Sequence, residues 1–447
     1  MKENTAIHNL IKQTVLIVID EMTMATRKMI NALDRTLRQI LNPLRPFGGI
    51  ILIFSGDWRQ TLPVVPRGSR AEILYETIKQ SEAWEHVQNL SLTENMRLRN
   101  AGAEAKEFAE YLLRIGEGTE QVYPEVGEDM ILIPNELKSK ARNLVEFCDE
   151  IFPNIHKLNI KNVNDNSWIK WLMSRVIICP TNLEVDEVND VLIEKFPGKL
   201  YTFKSFDKVL NAEEAHNFPI EFLNSIHLSS IPPHVLKLKI GCPFRLTRNI
   251  DPLNGHVNGQ RYIVLGLSNR VIHAKIAVGP KQGNEILIPR IIFHPNDKTI
   301  PFDFERRQFP IRTGFSSTAN GAQGRSDEVV GVNVTKDFFG HGQLYVAMSR
   351  VQDPKGLKIF KPQSKDSNIH NYTKNVVYKA ALSNTSQNIE NSLCNEMDFS
   401  FELDEWMEFS QTEPKDTAPI RVRDEVMERD PEVESEDEIV ESDDEFY

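Results

Sequence analysis

The chain is 447 residues long, 40% hydrophobic and 26% charged, which excludes a single small module and a wholly disordered chain. Its net charge is −12, yet residues 424–447 hold 13 acidic residues and one basic residue. A nearly neutral body therefore carries an acidic tail, and the global charge does not exclude a nucleic-acid partner. No apolar run approaches the roughly 18 residues of a membrane helix, and the polar start MKEN lacks a secretory apolar core. The four cysteines, Cys148, Cys179, Cys242 and Cys394, are too scattered for a CxxC pair or a disulfide framework, which points to a reducing compartment, cytosol or nucleus.

Residues 15–19 (VLIVI) read as a strand buried on both faces, as in a covered parallel sheet. Residues 25–41 show helical spacing, with Met29, Leu33, Leu37, Ile40 and Leu41 on one face. Pro43, Pro46 and Gly48-Gly49 break the chain before a second buried strand at 50–54 (IILIF). Strand, helix, strand makes a βαβ unit, and ligands of such sheets bind beyond the carboxyl ends of the strands. Residues 120–170 show no dominant period. A second α/β unit is predicted from a strand at 176–179 and a helix at 183–196. Residues 200–309 change to short β-like runs (262–265, 271–278, 285–288) separated by Gly and Pro, a β-rich insertion. The α/β pattern returns with a strand at 329–334 and a helix at 342–351. Beyond about residue 385 a Ser/Asn-rich and then acidic stretch predicts disorder.

Five strings carry chemistry. Asp20-Glu21 follows the first strand; in nucleotide hydrolases an Asp here holds Mg²⁺ and the adjacent Glu polarises the attacking water, although an acidic loop start or helix cap has the same look. Ser55-Gly56-Asp57-Trp58-Arg59-Gln60-Thr61-Leu62-Pro63-Val64 follows the second strand, with Gln60 suited to a γ-phosphate or the attacking water. Leu92-Thr93-Glu94-Asn95-Met96-Arg97 offers a guanidinium for phosphate. Residues 315–324 (FSSTANGAQG) and 341–351 (HGQLYVAMSRV) complete the set; in the last, Leu344, Ala347, Met348 and Val351 form a helix face and Arg350 projects from near its end.

In this order the five strings resemble the Pif-type (petite integration frequency) 5′-to-3′ DNA helicases of superfamily 1, most of all the branch encoded by Helitron transposons, over about residues 10–382. Gly241-Cys-Pro-Phe-Arg-Leu-Thr-Arg-Asn-Ile-Asp-Pro-Leu-Asn-Gly255 and Thr373-Lys-Asn-Val-Val-Tyr378 add to the likeness. The resemblance implies an α/β fold of two RecA-like parallel-sheet domains. The first, incomplete, covers 1–122, with a connecting segment at 123–171. The second covers 172–199 and 310–385, interrupted by a β-barrel-like insertion at 200–309, and 386–447 is a disordered acidic tail.

It further implies ATP and Mg²⁺ as cofactors. Asp20 takes the metal, Glu21 the catalytic water and Gln60 the γ-phosphate, with Asp57 beside them, while Arg97 and Arg350 meet the transferring phosphoryl group from opposite sides of a cleft. Thr318, Asn320, Gln323 and His341 are implied on the DNA side, with Arg245, Arg248 and Arg261 of the insertion as backbone contacts. Single-stranded DNA and duplex junctions are the implied partners, and the implied location is the nucleus, with mitochondria as a second site in the family. Repair, recombination and telomere maintenance are the implied settings.

Two departures stand out. No G-x-x-x-x-G-K-[ST] phosphate loop occurs in the chain, and only 19 residues precede Asp20, which reads as an N-terminally truncated protein with impaired hydrolysis. Gly321-Ala322 stands where the family usually has Lys-Ser, so a cation is missing from that segment. The alternative function is a catalytically dead transposon remnant that binds DNA or a partner.

Overall fold

A short parallel pair opens the chain. Strand Leu16–Ile19 runs beside Ile51–Phe54, with Leu16 opposite Ile51 and Ile19 opposite Phe54. The structure is a computed structural model, and it describes residues 5–99, 102–160, 166–211, 215–228, 230–295, 300–363 and 369–383; the expected tail at 386–447 lies outside them. Between the two strands, Thr26 caps helix Arg27–Ile40 by accepting from the Met29 N–H. That helix lays Ile30, Leu33 and Leu37 against Ile17, Ile19, Leu52 and Phe54.

The opposite face of this pair corrects the sequence reading. Leu16, Val18, Ile51 and Ile53 are 48%, 61%, 61% and 48% exposed. Both strands were read as covered on two sides because every residue in them is apolar. With two strands and one helical layer, only alternate side chains find cover. Met29 is likewise exposed, and Ile30 takes the inward position.

The second sheet does reach burial on both faces. Its four parallel strands run in the order Ser316–Thr318, Arg175–Cys179, Val329–Asn333, Leu357–Phe360. Val176, Ile177, Ile178 and Cys179 are fully buried. Helix Asn182–Lys195 begins with a capping box formed by Thr181 and Glu184. The segment at 123–171 belongs to this layer and is more than a connector. Its strand Met130–Leu132 pairs antiparallel with Tyr372–Lys374, and Phe147, Ile151, Trp168 and Ile169 enter the core beneath the sheet. Cys148, Cys179 and Cys242 are buried, unpaired thiols. No helix among the described residues is long and apolar enough to cross a membrane.

The β-rich insertion contains a five-stranded antiparallel sheet in the order Glu285–Pro289, Val271–Ile276, Arg261–Leu267, Pro243–Leu246, Ile311–Thr313. Its last strand therefore lies beyond the expected boundary at 309. A three-stranded sheet, Ile291–Phe293, Phe304–Gln308, Phe206–Val209, adjoins it. There Arg306 is completely buried, forking onto Asp207 and donating to the carbonyls of Leu223, Ile226 and Pro232. A buried guanidinium is tolerated because its donors are engaged in this way.

The chain then returns to where it began. Val376, Tyr378 and Ala381 pack on Leu62 and Leu74. Lys79 donates to the carbonyls of Ala381 and Ser383 at 2.6 and 2.5 Å and lies 4.0 Å from the Trp58 ring centroid. Burial pushes its ammonium down to about 8.

The two faces of the first sheet predict opposite responses. Val18→Thr with Ile53→Thr should change unfolding free energy by about 0.5 kcal/mol or less per site and reduce binding of a hydrophobic dye. Leu37→Ala, on the covered side, should cost ~2–5 kcal/mol. Denaturant titration with dye fluorescence checks both.

Candidate functional site

Asp20 and Glu21 stand where the first strand ends, and their environments differ. Asp20 is solvent-exposed and accepts from the Ser55 hydroxyl and from the Glu21 N–H at 2.9 Å. Those bonds hold its carboxyl below the ordinary range. Glu21 has left-handed backbone angles, φ 54 and ψ 36, unusual for a residue with a Cβ. Its Oε2 is buried with no hydrogen-bond partner. Burial first, and then the Asp20 charge, push its carboxyl upward, while the Arg350 charge pulls it back. One carboxylate is thus kept ionised and its neighbour is more basic, at adjacent positions.

The loop after the second strand touches almost everything around it. The Asp57 carboxylate accepts from the Arg59 N–H at 3.0 Å and from the Tyr345 hydroxyl at 3.1 Å. Arg59 reaches Glu117 on helix Ala103–Glu117 at 2.6 Å. The Gln60 side-chain oxygen accepts from the Gln323 amide at 3.2 Å, and the Thr61 hydroxyl donates to the other end of Gln323 at 3.0 Å. Gln323 was expected on the DNA side; its amide instead bridges the loops that end strands of the two sheets.

His341 also departs from expectation. It is 3% exposed. Its Nδ1 accepts from the Tyr378 N–H at 2.8 Å, which leaves Nε2 to donate to the Trp58 carbonyl at 2.8 Å. A ring used at both nitrogens by backbone and sealed from water is a clamp, not a DNA contact. Burial pushes it down to about 4. Gly342, at φ +69, follows: a Cβ there would collide with the Arg59 carbonyl and stand 2.7 Å from the Gln60 carbonyl. Only glycine allows both that backbone conformation and that approach.

Arg350 lies just past helix Gln343–Met348, which is shorter than the predicted 342–351. Its guanidinium is buried, bonding the carbonyls of Val346 and Arg325 and the Ser349 hydroxyl, with its charge felt at Glu21. Arg97 falls in the 3-10 turn Met96–Leu98, and its side chain lies outside the described residues. Thr318 accepts from the Gly321 N–H, and Asn320 accepts from the Gln343 amide, so residues 318–323 are tied to the helix that carries Arg350.

The three arginines expected on DNA separate. Arg248 is exposed, 5.3 Å from the Phe293 ring centroid. Arg261 is internal, bonded to the Met173 carbonyl at 2.9 Å and to Asp327 at 3.5 Å; it joins the insertion to the second sheet. Arg245 donates to Ser317 at 2.9 Å, and its Nε is buried without a partner. A Cβ on Gly321 would stand 3.1 Å from its Nη1. The Arg245 guanidinium, from the insertion, thus stands directly against residues 317–321. Burial and the charges of Arg325, Arg312 and Arg261 push Arg245 down to about 10.

Comparison with known proteins adds to this geometry. The family model described as PIF1-like helicase matches residues 1–125, and that described as DNA helicase Pif1, 2B domain matches residues 221–267, within the insertion. Over these residues the chain is similar to the PIF1-like helicases. Among curated proteins it is 24% identical to the ATP-dependent DNA helicase PIF1 of Xenopus laevis over 77% of this chain and 46% of that protein. It is 24% identical to that of Homo sapiens over 77% and 45%. It thus spans less than half the length of these relatives. Among solved structures, a Bacteroides Pif1 helicase in complex with ADP-AlF3 and ssDNA matches with a TM-score of 0.56 at 20% identity, covering 89% of this chain and 80% of that one. A structure of two Pif1 helicases unwinding forked dsDNA matches at 0.56 and 21%, covering 89% and 78%. These likenesses place the two sheets as the RecA-like pair of the PIF1-like fold.

Helix Ala103–Glu117, expected in the first domain, buries Phe108 and Ile115 in the core of the second sheet, so sequence reasoning missed Arg59, Glu117, Gly342 and Tyr345 as joints between the halves. Arg59, Gly342 and Tyr345 lie inside strings already singled out, and nothing in residue spacing tells that their partners sit across the cleft.

The His341 clamp has a pH signature. Its folded value near 4 lies below the ordinary 6.5, so the unfolded chain binds the extra proton and stability falls as pH drops from about 6.5 to about 4, by ~3 kcal/mol over the window. Urea midpoints across that range should fall more steeply for the native chain than for His341→Gln, which should be less stable at pH 7 but flatter. Gly342→Ala should cost at least ~2 kcal/mol from backbone strain and collision together, read in the same titration at pH 7.

Proposed function

We propose that this chain carries the hydrolysis and coupling elements of an ATP-dependent DNA helicase moving 5′ to 3′ on single-stranded DNA, with ATP and Mg²⁺ in the cleft between the two RecA-like sheets. The observation that carries the reading is the convergence of Asp20, Glu21, Asp57, Gln60 and Arg350 at one cleft from distant parts of the chain. Asp20, ionised and open to solvent, suits Mg²⁺, which retains waters and takes one or two carboxylates together with substrate phosphates. No group of three or more ligating side chains gathers among the described residues, in keeping with a metal that arrives with the nucleotide. When bound, the ion would neutralise charge on the phosphates. Glu21, raised in pKa and with a free inward oxygen, is placed to orient a water and take its proton. Arg350 supplies fixed positive charge next to it. The Gln60–Gln323 pair links the nucleotide cleft to residues 318–323, and Arg245 lies against that segment with Arg261, Arg312 and Arg325 nearby. Asp327 and Asp186 offset part of this charge, and the excess of guanidinium groups over carboxylates favours a polyanion. The related structures that hold ADP-AlF3 with ssDNA, or forked dsDNA, support the same ligands here.

A second reading is favoured by one observation: the 447 residues contain no G-x-x-x-x-G-K-[ST], the loop whose backbone and lysine position the β- and γ-phosphates. On that reading the polypeptide binds DNA or a helicase partner without turnover. One experiment separates the two. This chain alone should hydrolyse ATP far below about 1 s⁻¹ with or without DNA, the low end of ordinary enzyme rates. A chain extended upstream by a strand and phosphate loop should show DNA-stimulated turnover, and Glu21→Gln in that longer chain should abolish turnover while retaining ATP binding. Absence of turnover in the longer chain supports the non-catalytic reading, and equal loss of nucleotide binding in Glu21→Gln removes Glu21 from the water-activating role.

A further inference from the structure

The outer face of the insertion's three-stranded sheet carries chemistry that the nucleotide cleft does not use. Its inner face is closed by Val209, Phe293 and Phe304 packing on Leu223 and Ile231. Strand alternation then turns Phe206, Lys208, Ile292 and Arg307 outward. The register sets Phe206 opposite Arg307 and Arg307 opposite Ile292, one row across all three strands. Phe206 is 70% exposed. The Arg290 guanidinium lies 5.7 Å from its ring centroid and 4.7 Å from that of buried Phe309, and is anchored by the carbonyls of Lys204 at 2.7 Å and Asn269 at 3.2 Å and by Gln308 at 3.1 Å, which leaves one terminal nitrogen to meet a ligand.

The charges on this face are unbalanced. Glu305, its carboxylate, is taken by Lys208 at 3.0 Å. Arg290 and Arg307 have no ion pair among the described residues, and burial first, then the Arg307 charge, push the Arg290 guanidinium down. An open aromatic ring between two unpaired guanidinium groups is the arrangement that binds a flexible polyanion with π-faces.

We infer that this face is a second contact surface for single-stranded nucleic acid, with a base stacked on Phe206 and the flanking phosphates met by Arg290 and Arg307. It is distinct from the surface around Arg245 and Gly321, because Arg245 lies in the other sheet of the insertion, on strand Pro243–Leu246, and points at Ser317. The identity of the strand as DNA rests on the helicase reading; the geometry of the face does not. A strand engaging both surfaces gains effective concentration at the second once held at the first, so the second surface matters for long strands and little for short ones.

The test uses the whole chain and fluorescence anisotropy with labelled oligothymidine of about 8 nucleotides, on the order of one site, and of about 30 nucleotides. Phe206→Ala should weaken the long strand roughly tenfold, the loss of one stacked base, and leave the short one unchanged; Phe206→Trp should restore the long-strand affinity. Arg307→Ala should lower the salt slope for the long strand by about 1. A halogenated-uridine strand should crosslink to Phe206. Loss of affinity in Arg245→Ala, with Phe206→Ala and Arg307→Ala behaving as the native chain, overturns the second surface and leaves the helicase reading intact. No binding of the native chain to either strand overturns both. If Phe206→Ala abolishes a self-association of the native chain without changing DNA affinity, the face belongs to a second copy and the inference fails.

Discussion

The approach of two backbones holds this molecule together. Residues 58–60 leave the first sheet and run against His341-Gly342 from the second, with the imidazole bonded on one side to Trp58 and on the other to Tyr378. Nothing larger than a hydrogen fits on the Gly342 Cα at that point. The contact is made of backbone carbonyls, one neutral ring and one missing side chain, so it is short-range and sharply dependent on position. Asp57 with Tyr345, and Gln60 and Thr61 with Gln323, fan out from it. Gln60 therefore cannot move in or out of the cleft without consequence for residues 318–323, and a displacement there is felt at Gln60.

On the proposed helicase reading such an arrangement suits a motor: hydrolysis would need Glu21 and Arg350 on facing sides of a cleft, while movement on a strand would need the two sheets to shift. A wide apolar interface would resist that shift. Between these halves the contacts around the cleft are mostly single polar bonds, and the apolar packing is concentrated at the returning carboxyl-terminal segment, where Val376, Tyr378 and Ala381 meet Leu62 and Leu74. Lys79, buried beneath it and stacked near Trp58, ties that segment to the loop after the first sheet.

What the sequence revealed follows from which forces leave a one-dimensional trace. The strands at 175–179 and 329–333 are readable because burial on both faces demands an unbroken apolar run. The same run at 16–19 and 51–54 misleads, since apolar composition records tolerance of burial and not its presence. Asp20 and Glu21 were legible by position, at the end of a strand beside a second strand end. Arg261 and His341 were not: a guanidinium or imidazole has the same letter whether it faces solvent or closes a core contact, and only the Met173 and Asp327 partners of the one, and the Trp58 and Tyr378 partners of the other, decide it. The approach of Arg245 to Ser317 and Gly321 is invisible in either segment alone, because it joins two positions far apart in the chain.

The return of the carboxyl-terminal segment sets a schedule for synthesis. Lys79 and its Ala381 partner are 302 residues apart, and His341 and Tyr378 arrive almost as late. At about 5–20 residues per second on the ribosome, the first sheet waits roughly 15–60 s for the pieces that lock it, with Val18 and Ile53 facing water throughout. A nascent chain in that interval presents an apolar ribbon with open edges, the kind of surface that chaperones hold and that neighbouring chains on a polysome would join. Slow, cool expression and co-produced holdase would thus act on the amino-terminal strands, even though the residues that finally secure them are translated last.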